Sequence, residues 1–104
     1  MTSYSREDLV RCRERIDELD LELLTLLNQR TSIVEEIGRI KQQLELAVYE
    51  PKREDQVFAN VLTHNPGPLP SEAVKRIFER IIDEMRTVQQ LKIQSQRLTG
   101  KDEC

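Results

Sequence analysis

Tryptophan is absent, and two tyrosines and two phenylalanines supply every aromatic ring of a 104-residue chain. Glycine is as scarce, with three residues, and proline little less so, with four. A chain so short of the residues that build and punctuate sheets is expected to be all-α. One histidine, His64, and two cysteines, Cys12 and Cys104, at opposite ends of the sequence make up neither a Cys/His metal site nor a histidine relay to a nucleophile within one chain. The thiols read as reduced, in a cytoplasmic protein. No apolar run nears the roughly 20 residues of a membrane span, and residues 1–20 hold no hydrophobic signal core. Sixteen Lys and Arg stand against 19 Asp and Glu, a net charge of −3. That excludes the basic excess of a nucleic-acid binder. With 38% hydrophobic residues, the chain can bury a core as one domain, residues 1–104, without metal or disulfide staples.

What the sequence does hold is one long amphipathic helix, expected over residues 6–43. Ser5 followed by Asp8 forms a capping-box signature with Asp in place of Glu, and Glu7 and Asp8 suit the first turn. With Leu9 at a, the a positions are Leu9, Ile16, Leu23, Arg30, Ile37 and Leu44, and the d positions are Cys12, Leu19, Leu26, Ile33 and Ile40. Ten apolar residues and one arginine therefore occupy eleven seam positions, with Arg13 and Lys41 at e on the stripe's edge. A helix of about 38 residues spans roughly 57 Å at 1.5 Å per residue, against a radius of gyration of about 13 Å for a compact domain of this size. Its own chain cannot cover such a stripe, so an intertwined homodimer is expected. Arg30 as a mere register device in a coiled coil remains open at this point. Gly38, inside the pattern, costs roughly 1 kcal/mol relative to alanine, a cost that close packing of another helix would account for.

The pattern fades before Pro51, which suits the first turn of a short second helix entered from Glu50 and expected over 50–64. Glu50, Arg53, Glu54, Val57 and Val61 share one face of it. They read either as a solvated charge cluster or as the charged rim of an apolar site. Asn65-Pro-Gly-Pro-Leu-Pro70 ends that helix. A third helix is expected over 71–98, with Val74, Ile77, Phe78, Ile81, Ile82, Met85 and Val88 as its apolar stripe. Gln89 lies on the same face, four residues after Met85 and seven after Ile82. Residues 99–104 have no apolar period and are expected to fray. The architecture expected is three helices per chain: one very long, one short and one long.

Arg30 and Lys41, eleven residues apart, project from nearly one line of the first helix at an axial spacing of roughly 16 Å. Arg13 lies roughly 25 Å to the other side of Arg30, so it would reach the same small ligand only from a second, antiparallel copy. Cations set in an apolar seam call for anionic groups, carboxylates above all. No nucleophile with an activating base is present in the pattern, so an enzyme built this way works by orientation and charge stabilisation.

The run Arg13-Glu-Arg-Ile16-Asp17-Glu-Leu19-Asp20 through Leu-Leu-Asn-Gln-Arg30 and Gly38-Arg-Ile-Lys41, then Val48-Tyr-Glu50-Pro-Lys-Arg53-Glu54, then Ile77-Phe78 through Gln89, resembles the all-helical class of chorismate mutase over about residues 6–95. The resemblance implies the rearrangement of chorismate to prephenate, on the route to phenylalanine and tyrosine, with no cofactor and no covalent intermediate. It also implies roles. Lys41 and Gln89 are similar to the donors to the ether oxygen, where negative charge grows in the transition state. Arg30 and the second copy's Arg13 resemble the carboxylate clamps. Glu54 matches the acceptor of the ring hydroxyl, Glu50 stands where the family often has aspartate, and Arg53 matches the arginine that orders this turn. Met85 departs from the pattern, falling where some members carry a serine that helps to hold a carboxylate. Members also occur fused to or associated with other shikimate-pathway enzymes, a partner class the resemblance allows. Two rivals remain: an isochorismate-pyruvate lyase of the same fold, against which the complete Glu50, Arg53, Glu54 turn weighs, and a non-catalytic dimeric helical interaction module.

Overall fold

The computed structural model describes residues 3–102, with side chains as far as Gln94. Three helices follow one another, α1 (Arg6–Gln43), α2 (Pro51–His64) and α3 (Ser71–Asp102), with no strand among the described residues. The all-α expectation holds. α3 runs four residues past the end expected at Leu98, and of the expected frayed tail only residues 103 and 104, Cys104 among them, lie outside the description. Contacts among the described residues cluster in two compact units, one up to Ser32 and one from Ile33 onward. The boundary falls inside α1, and the first unit is a single helical stretch with no second element on which to build a core.

In the first unit the capping box is closed. Ser5 N donates to Asp8 Oδ2 at 2.8 Å, and Asp8 N donates to Ser5 Oγ at 3.3 Å. The backbone hydrogen bond from Ser5 is the main cause that holds the Asp8 carboxyl below its ordinary range, followed by the Arg11 guanidinium and the Ser5 hydroxyl. Leu9, Ile16, Leu19, Leu23 and Leu26 are 49–60% exposed, so the chain by itself leaves about half of each of these seam residues uncovered.

The second unit holds the last turns of α1, then α2 and α3. α2 and α3 pack on each other: Val74, Ile82 and Met85 of α3 are buried, and Val57, Phe58 and Val61 of α2 are half-buried. Pro51 stands at the first turn of α2 with Glu50 as its N-cap, as its fixed φ and missing N–H allow. Past His64, Asn65 folds the turn on itself, accepting from Gly67 N at 3.0 Å and donating to Leu69 O at 2.8 Å. Gly67 there takes a φ of +77°, which its missing Cβ permits.

α1 ends in a Schellman motif. Leu46 N donates to Lys41 O at 2.8 Å and Glu45 N to Gln42 O at 3.3 Å, which places Glu45 in the left-handed region at φ 58°. A side chain with a Cβ is strained there. Glu45→Gly is therefore expected to stabilise the fold by about 1 kcal/mol, the relief of strain exceeding glycine's extra entropy in the unfolded chain. A urea midpoint that falls in this variant would contradict the assignment.

Candidate active site

Among the described residues, two polar side chains are buried: Lys41 at 9% exposure and Gln89 at 6%. Each has a structural reason to be where it is. Gly38 and Lys41, one turn apart on α1, are that helix's two buried residues. A Cβ on Gly38 would meet Gln89 Cγ at 3.4 Å, an ordinary van der Waals contact, so α3 brings its amide against α1 at this position. The close approach anticipated for Gly38 is thus made by Gln89. The amide donates from Nε2 to the Val34 carbonyl at 2.9 Å, which sets its orientation and leaves its second N–H for another acceptor.

The Lys41 ammonium donates to the Val48 carbonyl at 2.9 Å and pairs with Glu50 Oε1 at 2.7 Å. Two of its three hydrogens are so engaged. A buried cation without such partners would be costly. An open groove of about 760 Å³ begins beside Lys41 and is lined also by Val48, Gln90 and Ile93. Gln89 borders a narrow crevice with Gly38, Glu35 and Lys92 that is too small to admit a water molecule. Gln89 thus meets α1 at Gly38, one turn before Lys41.

The acidic turn is divided. Glu54 is half-buried and faces α3, where Arg86 makes an ion pair with its Oε2. Arg53 is exposed and donates to Gln56 Oε1 at 3.4 Å. Arg86, which the sequence reading did not single out, meets this turn from α3. Periodicity alone passes over Arg86; the available signal is its place four residues after Ile82, a cation at the edge of an apolar stripe. In the first unit, Arg13 is exposed and Arg30 half-buried on α1. Met85 is buried, as expected of its stripe. The described residues include no cluster of His, Cys, Asp or Glu able to hold a metal, and no helix among them is long and apolar enough to cross a membrane.

A half-sheltered set of cations, carboxylates and one oriented amide, on three helices, is what the comparisons with known proteins speak to. The sequence pattern of the family described as chorismate mutase type II matches residues 12–90. The chain belongs to that family. Its similarity extends to a bifunctional chorismate mutase/prephenate dehydratase of Neisseria gonorrhoeae, 39% identical over 89 residues, which cover 86% of this chain and 24% of that one. A chorismate mutase of Methanocaldococcus jannaschii is 33% identical over 55 residues, 53% of this chain and 56% of that one. Among solved structures, form II of chorismate mutase from Thermus thermophilus superposes with a TM-score of 0.78 at 34% identity, covering 79% of this chain and 93% of that chain. The chain spans about a quarter of the length of the bifunctional relatives it matches. The family match takes in Arg13, Arg30, Lys41, Glu50, Arg53, Glu54 and Gln89, and it ends at Gln90. α3 continues beyond it to Asp102.

Proposed function

We propose that this chain converts chorismate to prephenate, the step of aromatic amino acid biosynthesis that leads to phenylalanine and tyrosine. The observation that carries the reading is a buried lysine on α1 and a buried, oriented amide on α3 that rests against Gly38, one turn before that lysine, in a chain of the chorismate mutase type II family. The rearrangement is intramolecular, so the protein need supply no nucleophile, metal or cofactor. Its task is to hold the substrate compact and to meet the charge that grows on the ether oxygen as the carbon–oxygen bond breaks. The free N–H of Lys41 and that of Gln89 serve as the donors to that oxygen. Being fixed in advance, by Val48 and Glu50 on one side and Val34 on the other, they need no reorganisation when the charge appears.

In this reading Glu54 accepts the ring hydroxyl with Glu50 beside it, Arg53 lies at the rim, and Arg30 with Arg13 of a second copy takes the two carboxylates. The second copy is part of the proposal. The large apolar seam residues from Leu9 to Leu44 are 40–63% exposed, and full burial of each such side chain is worth roughly 1.5–3 kcal/mol. A dimer along this stripe is the assembly that best removes that exposure, and it brings in the second arginine. A cytoplasmic setting goes with the reading. The same reading has the chain associate with another enzyme of the pathway, in keeping with the bifunctional names of the relatives.

Offering the purified chain chorismate and isochorismate in separate assays tests the proposal. Prephenate from chorismate is the expected product. Pyruvate released from isochorismate, without prephenate from chorismate, would transfer the chain to the lyase reading, and inertness toward both would leave an interaction module.

A further inference from the structure

We infer that Arg86 is a positioning residue for recognition of the substrate's ring hydroxyl: it fixes Glu54, and through Tyr49 the segment that carries Glu50. This inference rests on the mutase reading above and assigns within it a residue that no part of that reading uses.

Three contacts hold the guanidinium. It pairs with Glu54 Oε2 across the α2–α3 boundary, the two side chains being 27% and 23% exposed. Its second arm lies 3.6 Å from Asp83 Oδ1, one turn back on α3. Its plane sits over the Tyr49 ring, 4.9 Å from the centroid, the arrangement that a planar cation and an aromatic face favour. Held by two carboxylates and a ring, Arg86 is not free to swing out and clamp a substrate carboxylate itself.

What the guanidinium does is restrict others. A glutamate side chain has three rotatable torsions, and one left loose in a pocket mouth must be ordered when the ligand arrives. With Oε2 held by Arg86, Glu54 presents Oε1 as the acceptor for a hydroxyl. Tyr49 immediately precedes Glu50, the partner of Lys41, and follows Val48, whose carbonyl receives the same ammonium. One arginine thereby ties down both ends of the acidic turn, from α3.

The experiment compares wild-type, Arg86→Met, Glu54→Gln and the double variant, each with chorismate and with an analogue that lacks the ring hydroxyl. Methionine keeps the apolar stem near Tyr49 and removes the charge. The expected result with chorismate is a KM raised on the order of 10-fold, the size of a lost hydrogen bond to a charged group, with kcat nearly unchanged because ground state and transition state bind the hydroxyl alike. With the analogue, wild-type and Arg86→Met should agree within about 2-fold, and with chorismate Arg86→Met should cost less in the Glu54→Gln background than in wild-type. Arg86→Lys, which retains charge without the planar fork, should fall between, and serves if the methionine variant does not fold. An equal loss with both substrates, or additive effects in the double variant, would mean that Arg86 only braces the fold, and would overturn the assignment. A folded wild-type chain that turns over neither substrate would instead remove the mutase reading, and this inference with it.

Discussion

Gln89→Ala is expected to slow turnover by about 10²- to 10³-fold, the usual cost of losing one preorganised donor to a developing oxyanion, while the three helices persist. The amide is 6% exposed and donates to the Val34 carbonyl, a group at mid-helix that still has its own helical partner to fall back on. Turnover measured directly by chorismate consumption separates the chemical role from a packing role: a purely structural Gln89 would lower stability and leave the rate of the folded enzyme alone. The same donor role predicts a level rate across neutral pH, because an amide does not titrate. Gln89→Glu sharpens the point. A carboxylate there must be protonated before it can donate, so that variant should lose activity as pH rises, where the parent does not. A steep decline of the parent itself between pH 6 and 8 would count against Gln89 as the donor.

Restoration of activity on mixing two dead variants is the second large effect expected. Arg13→Ala and Arg30→Ala are each predicted to be inactive as homodimers, since every site lacks one clamp. Allowed to exchange subunits at equal concentration, half of the dimers become mixed, and each mixed dimer regains one intact site of its two, so about a quarter of wild-type activity should return if the sites are shared symmetrically. No recovery after verified exchange would mean that Arg13 acts in its own chain or not at all. Arg30→Leu distinguishes the same proposal from a plain helical seam. In a coiled coil, leucine at an a position should add stability; in a shared active site it should abolish turnover whatever it does to the melting temperature.

Much of the architecture is legible in the residue order because it depends on local rules. Ser5 and Asp8 close the capping box that their spacing announces, and Pro51 opens α2 from Glu50. Gln89 is buried with Met85 and Ile82, as its place on their stripe requires. The extra length of α3 was not legible. Loss of apolar period after Arg97 removes the reason for that stretch to pack, but not the helical preference of its backbone, and the helix continues to Asp102.

The candidate site divides along the same line. Which residues are out of place in an apolar stripe is written in the periodicity, and Arg30, Lys41 and Gln89 stand out by that alone. Who meets them is not. Glu54 and Arg86 are 32 positions apart, and neither residue's spacing on its own helix names the other. The Val48 carbonyl that receives Lys41 is backbone, so side-chain pattern could not reveal it. Arg53, next to Glu54 on the same helix, is not turned toward it, and only the way α2 rolls on α3 brings Arg86 to Glu54. Helix identity, helix limits and the polar residues aimed at a core come from short-range periodicity, which the sequence by itself determines. Pairings between helices depend on the rotation and depth of their packing, and for this protein only the tertiary structure decided them.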